Sequence, residues 1–357
     1  MHRISQITPV DEKSRQKAWE KIDQLTKPIG SLGRLEEYAA KLAGITGKER
    51  CELDKSAVCV FAADNGIYES QITLVPQEVT TTQLENMAKG LAGINAMCAL
   101  SNSDLFLIDV GVKKAPSTPG IENRCIMRGT KNMEHGPAMT REQAQSAIEV
   151  GLNKACELVD AGYELLGAGE MGICNTSTSA AVISVLLGTP VADVIDRGAG
   201  IDDTHFIRKC EVVQKAIQNN NPDREDVLDV LSKVGGLDIC AMCGFYLGAA
   251  YRKIPVIVDG FIASAAALCA FRLNPLVAEY LFGSHRSTER GQSPALEAVG
   301  IEAPLHLNMR LGEGTGCPLM FEVLRASQNM VRSMGSFHQG NIDSSEFVDL
   351  RKIEKNS

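Results

Sequence analysis

Short apolar runs that each stop at a small cluster of glycine and polar residues constrain this chain most. Ala57–Ala62 stops at Asp64-Asn65-Gly66, and Leu105–Ile108 stops at Asp109-Val110-Gly111. Tyr163–Leu166 ends at Gly167-Ala168-Gly169, and Val191–Ile195 ends at Asp196-Arg197-Gly198. Ile254–Val258 ends at Asp259-Gly260, and Val277–Phe282 ends at Gly283-Ser284-His285. Helix-prone stretches fill the intervals, such as 140–161, where Thr140 and Gln143 have capping-box spacing. Continuous apolar strands alternating with helices imply a parallel sheet built from right-handed βαβ units. The expected fold is therefore α/β, a Rossmann-like, mostly parallel sheet of about six strands with helices on both faces. Ligands of such sheets sit beyond the carboxyl ends of the strands, where these polar clusters fall.

Two charged, amphipathic stretches precede the first strand. The first carries Trp19, Ile22 and Leu25, and Lys27-Pro28-Ile29-Gly30 breaks it. The second carries Leu32, Leu35, Tyr38 and Leu42, with Ser31 as its expected cap. The expected organisation is a small helical domain from residues 1–50 and 320–345, a catalytic α/β domain over 51–319, and a frayed tail at 346–357.

The formal net charge of −8 argues against nucleic acid and anionic membranes as partners. No apolar run reaches the ~20 residues of a membrane span and the N-terminus lacks a signal-peptide core, so a cytoplasmic protein is expected. Most of the eleven cysteines lie in apolar segments and read as buried hydrophobes. The single CxxC, Cys240 to Cys243, has no second pair and reads as part of a buried helix. No metal and no cofactor is expected.

Arg310-Leu311-Gly312-Glu313-Gly314-Thr315-Gly316-Cys317-Pro318 sets one carboxylate among three glycines just before a helix. Free amides there can hold an anion, and the carboxylate would be fixed beside it. Gly167-Ala168-Gly169-Glu170-Met171-Gly172 fits a dinucleotide fingerprint, with Cys174 through Ser179 following as a polar helix start. Taken alone, that fingerprint suggests an NAD-dependent oxidoreductase. A third candidate loop, Gly283–Gly291, is rich in hydroxyls, and Lys209 follows the 197–203 glycine loop.

These stretches together resemble the nicotinate-nucleotide–dimethylbenzimidazole phosphoribosyltransferase family. The resemblance rests on Lys27–Glu36, Ala63–Gly66, Pro76–Thr80, Gly169–Thr176, Leu231–Gly236, Asp259–Phe261, Ser284-His285 and Arg310–Gly314, in order along the chain. It implies transfer of ribose 5-phosphate from nicotinate mononucleotide to a benzimidazole-type base in cobalamin nucleotide-loop assembly, by a homodimer. It implies Glu313 as general base and Glu170 as a second acid near the ribose. It implies Gly172, Asn175, Thr176, Lys209, Asp259, Ser287, Gly312 and Gly314 around nucleotide and phosphate. Val75, Gln83, Met171 and Leu311 would wall the base pocket. The sequence departs from the family at Asn65, usually His, at Cys174, usually glycine, and at Val75, where some members carry a hydroxyl. A catalytically silent base-binding subunit is the non-enzymatic alternative, disfavoured by the presence of Glu313.

Overall fold

The computed structural model describes residues 2–198, 200–343, 345 and 347–353. Six strands form one parallel sheet: β1 (Ser56–Ala63), β2 (Asp104–Gly111), β3 (Ile121–Asn123), β4 (Leu165–Met171), β5 (Val256–Val258) and β6 (Leu281–Gly283). Their spatial order is β3-β2-β1-β4-β5-β6. The chain winds outward in both directions from the β1/β4 pair, which is the switch point where such folds bind ligands. All eight residues of β1 are buried, as a central strand covered on both faces requires. Register sets Phe61 against Glu170 and Ala62 against Met171, so the end of β4 lies beside the loop that leaves β1.

Several expected elements fall differently. Val191–Ile195 is not a strand: Pro190 precedes a single helical turn, Val191–Val194. Residues Pro275–Tyr280 form a 3-10 helix, and only Leu281–Gly283 pairs with β5. The sixth strand is instead β3, a three-residue edge piece too short and polar to show an apolar run. Gly167 and Gly169 lie within β4 and not in a turn after it. A Cβ at Gly167 would strike Cys317, and one at Gly169 would strike the backbone carbonyl of Glu313. The glycines therefore let the 312–316 loop and the following helix, Gly316–Ser333, rest directly on the strand. Both CxxC cysteines are buried in helix Leu237–Tyr251.

Ser31 does not cap the second helix. Gly33, at φ +51°, occupies that position, and helix Arg34–Thr46 is closed by Glu36, which accepts the Leu32 N–H at 2.9 Å. Helices Glu12–Ile22, Arg34–Thr46 and Gly316–Ser333 share a separate apolar cluster of Ala18, Ile22, Leu25, Ala39, Ala40, Ala43, Met330 and Val331. Part of the tail expected to fray is docked on this cluster. Arg351 pairs with Asp23 at 2.9 Å and stacks over Trp19, and the Leu350 N–H donates to the Ile29 carbonyl. Residue 346 and residues 354–357 lie outside the described residues.

Candidate active site

The Glu313 loop is built from three consecutive left-handed residues: Gly312 at φ +81°, Glu313 at +60° and Gly314 at +85°. Glycine takes this conformation freely; a glutamate held there costs roughly 1–3 kcal/mol and needs outside support. Asp259, just after β5, supplies it. Its carboxylate accepts the N–H of Gly314 at 3.1 Å and of Gly316 at 2.7 Å. His285 Nδ1 stands 3.7 Å from Asp259 and 3.0 Å from Ser284 Oγ. Burial raises the Asp259 pKa above the ordinary carboxylate range. The Glu313 N–H donates to Glu170 Oε1 at 3.3 Å.

Held this way, the Glu313 side chain is buried and turned away from its own loop. Gln83 Nε2 donates to its Oε1 at 2.7 Å, and the Ile94 N–H donates to its Oε2 at 3.2 Å. Ile94 is in the first turn of helix Gly93–Leu100, so the positive end of that helix faces the carboxylate. Leu311, 60 % exposed, folds over Gly93 at the same place.

Glu170 is the penultimate residue of β4 at the switch point and is buried, with one side in the cleft wall. Asn175 donates to its Oε2 through a short contact and to Asp238 Oδ2 at 3.2 Å. Burial and the neighbouring Asp238 push the Glu170 pKa up to about 8. Burial pushes Asp238 up to about 7.

Beyond the carboxyl ends of β4 and β5 lies a cleft lined by Glu170, Met171, Gly172, Asn175, Thr176, Asp259, Ser287 and Glu289. Gly260, Phe261, Ile262 and Ala263, at the start of helix Phe261–Leu273, form its far wall with Gly312 and Leu311. A second lobe is lined by Val75, Gly172, Cys174, Asn175, Thr176, Ser177, Arg197 and Lys209. The first turn of helix Asn175–Leu187 borders both lobes, and its Asn175 and Ser177 amides donate to the Gly172 and Cys174 carbonyls. Lys209 is buried there, donating to Thr176 Oγ1 at 3.0 Å and to the Asp196 carbonyl at 2.7 Å. Burial lowers its pKa, with Glu289 opposing the shift. Among the described residues no group of three or more His, Cys, Asp or Glu is placed to hold a metal, and no helix is long and apolar enough to cross a membrane.

A family model described as phosphoribosyltransferase, DBI_PRT, matches residues 7–342. The chain belongs to this phosphoribosyltransferase family. It is 43% identical over 350 residues to the nicotinate-nucleotide–dimethylbenzimidazole phosphoribosyltransferase of Clostridium tetani, covering 98% of this chain and 97% of that protein. It is 45% identical over 323 residues to the protein of the same name from Acetivibrio thermocellus, covering 90% and 92%. Its fold is similar to the crystal structure of CobT from Thermus thermophilus, with a TM-score of 0.89, 37% identity, and coverage of 93% of this chain and 99% of that one.

In this phosphoribosyltransferase, Glu170 and Leu311 line one end of the cleft, whereas Glu313 and Gln83 line neither lobe, and Glu313 joins the cleft wall through its backbone N–H on Glu170. Asn175, Thr176, Gly172, Lys209 and Ser287 gather toward the other. Asp259 lines the cleft and also serves the loop, as does Gly314. Asp259 grips the loop amides, and Gly314 packs so closely on β4 that a Cβ there would stand 3.1 Å from the Gly169 Cα. The loop amides of Glu313, Gly314 and Gly316 all donate to buried carboxylates, so they form no anion cradle. Cys174 sits at φ +71° before helix Asn175–Leu187, a conformation that suits the glycine usual in the family. Asp238, Glu289 and the Phe261 helix start carry no assigned role in the sequence reading. The double glycine before Asp238 and the hydroxyl-rich loop holding Glu289 were the available signals.

Proposed function

We propose that this phosphoribosyltransferase moves ribose 5-phosphate from nicotinate mononucleotide to 5,6-dimethylbenzimidazole or a related base, giving α-ribazole 5′-phosphate and nicotinate. The reaction is the one for which its relatives are named. The observation that carries it to these residues is Glu313, whose carboxylate is fixed by Gln83 and the Ile94 N–H and whose own N–H donates to Glu170 in the cleft wall.

In this reading Glu313 accepts the proton of one benzimidazole nitrogen as the other attacks C1′ of the ribose. The C1′–N bond to the nicotinate ring breaks, and its electron pair neutralises the ring nitrogen. Attack opposite the leaving ring inverts the configuration at C1′. Glu170 faces the positive charge that builds on the sugar. Lys209, Thr176 and Ser287 take the 5′-phosphate. Val75, Gln83, Met171 and Leu311 wall the base. The ring of nicotinate mononucleotide leaves as a neutral heterocycle, so no acid is required to release it.

The division into a small helical domain and a catalytic domain, a homodimeric active form and a cytoplasmic location belong to the same proposal. The separate apolar cluster of the terminal helices supports the first. Incubation with nicotinate mononucleotide and a panel of benzimidazoles, with products identified by mass, tests the reaction. Unconsumed nucleotide with every base would overturn it.

A further inference from the structure

Asp238 has no place in the reaction as described so far, yet it lies one amide away from Glu170. The Asn175 side-chain amide donates to both carboxyls at once, to Glu170 Oε2 and to Asp238 Oδ2. Asp238 is wholly enclosed, and Glu170 is buried but for the side that lines the cleft. The charged groups that face them from neighbouring elements are themselves carboxyls: Asp259, after β5, toward Glu170, and Asp64, after β1, toward Asp238. Two buried carboxylates joined by one neutral donor, with more carboxylates behind them, resist being charged together.

A second observation is independent of that count. Asp238 Oδ1 and Asn65 Oδ1 are both buried and both lack a hydrogen-bond partner. They close on the same point beside Gly236, where a Cβ would strike Asp238 Oδ1 and stand 2.7 Å from Asn65 Oδ1. Two acceptor oxygens turned to one spot repel each other when Asp238 is charged, so this contact too resists the ionisation of both acids together.

We infer that Asn65, Asp238, Asn175 and Glu170 form one proton-holding unit, in which Asp238 is a positioning residue that governs when Glu170 becomes charged. In the empty cleft the two acids are kept from ionising together. Arrival of the cationic nucleotide ring beside Glu170 ionises that side chain, and its proton leaves to solvent. Glu170 is thus negative when a positive charge lies in front of it and neutral otherwise. With Glu170 pushed up to about 8, roughly nine-tenths of it is protonated at neutral pH, so the proton is there to be released.

This inference rests on the reading that the nucleotide ring enters beside Glu170. The test is calorimetry of nicotinate mononucleotide binding at neutral pH in two buffers of different ionisation enthalpy, with the pH profile of kcat/KM. Wild type is expected to release more protons than Glu170→Gln. Asp238→Asn removes the ionisable neighbour, so it should release fewer than wild type. The acid limb of its kcat/KM profile should move down by half a pH unit or more, about threefold in the proton equilibrium. A scaffold residue would leave that limb in place. Infrared difference spectra of wild type need no variant: a protonated-carboxyl band should vanish when the nucleotide binds. Equal release in wild type and Glu170→Gln, an unmoved limb in folded Asp238→Asn, or an unchanged carboxyl band overturns the inference alone. A wild type that binds no nucleotide overturns both the inference and the substrate reading.

Discussion

Replacing Glu313 by Gln isolates proton acceptance from shape. In wild type both carboxylate oxygens accept, one from Gln83 at 2.7 Å and one from the Ile94 N–H at 3.2 Å. A glutamine amide has one acceptor oxygen and one donor nitrogen. The backbone N–H cannot turn, so the oxygen must keep it and the nitrogen must face Gln83. Gln83 can answer by flipping its own amide, at the expense of the 3.3 Å bond its Oε1 accepts from Asn86. The structural cost is thus one charge-assisted bond exchanged for a neutral one, about 1–2 kcal/mol. The catalytic cost is separate. Losing a general base removes about 10²–10⁴-fold in kcat, or ~3–5 kcal/mol of barrier. Single-turnover rates with benzimidazoles of graded N–H acidity, beside nucleotide Kd and Tm, separate the two. The rate loss should be at least about 100-fold, should shrink as the acceptor becomes more acidic, and should leave nucleotide Kd nearly unchanged. A variant that keeps kcat within a few-fold, or loses it equally for all acceptors, refutes Glu313 as the base.

Lys209→Ala removes the buried ammonium beside Thr176 and should weaken nucleotide binding by about 1.5–3 kcal/mol while sparing the free base; titration calorimetry checks both. Gly314→Ala forces a side chain into φ +85° and within 2.9 Å of Val58, so a lower Tm and a loss of turnover larger than the loss of nucleotide affinity are expected. Glu170 and Asp238 are held at about 8 and 7 against ordinary values of 4.5 and 3.8. The folded state therefore binds more protons than the unfolded chain from about pH 4 to 8, and stability falls as pH rises through that window. Thermal unfolding should show wild type less stable at pH 8 than at pH 6, and Glu170→Gln should flatten that slope.

The central strands were legible because a strand covered on both faces has to be apolar throughout, as Ala57–Ala62 and Leu105–Ile108 are. Ile121–Asn123 was not, because an edge strand of three residues carries no such demand. Val191–Ile195 has strand composition, but Pro190 and the packing that follows make it a turn of helix. Glycines at 167 and 169 signal a turn locally; only the tertiary fold reveals that their missing side chains make room for another segment. The candidate site residues came from resemblance, and the structure brings several of them, Glu170, Met171, Asn175, Thr176 and Leu311 among them, around one cleft. The links among them were not legible. Nothing in sequence spacing joins Gln83 to Glu313 or Asn65 to Asp238, and Asp259 gave no sign that its carboxylate would be spent on a loop.

The Glu313 loop also says something about how the molecule comes into being. Its partners are Gln83, Ile94, Glu170 and Asp259, drawn from helices and strand ends as far as 230 positions away in the chain. Such long-range closures form late, because much of the chain entropy must be surrendered before any of them is rewarded. Three left-handed residues in a row have no local reason to assemble earlier. The site is therefore the last thing this chain builds, and the appearance of activity during refolding is a clock for completion of the whole sheet, not of any part of it.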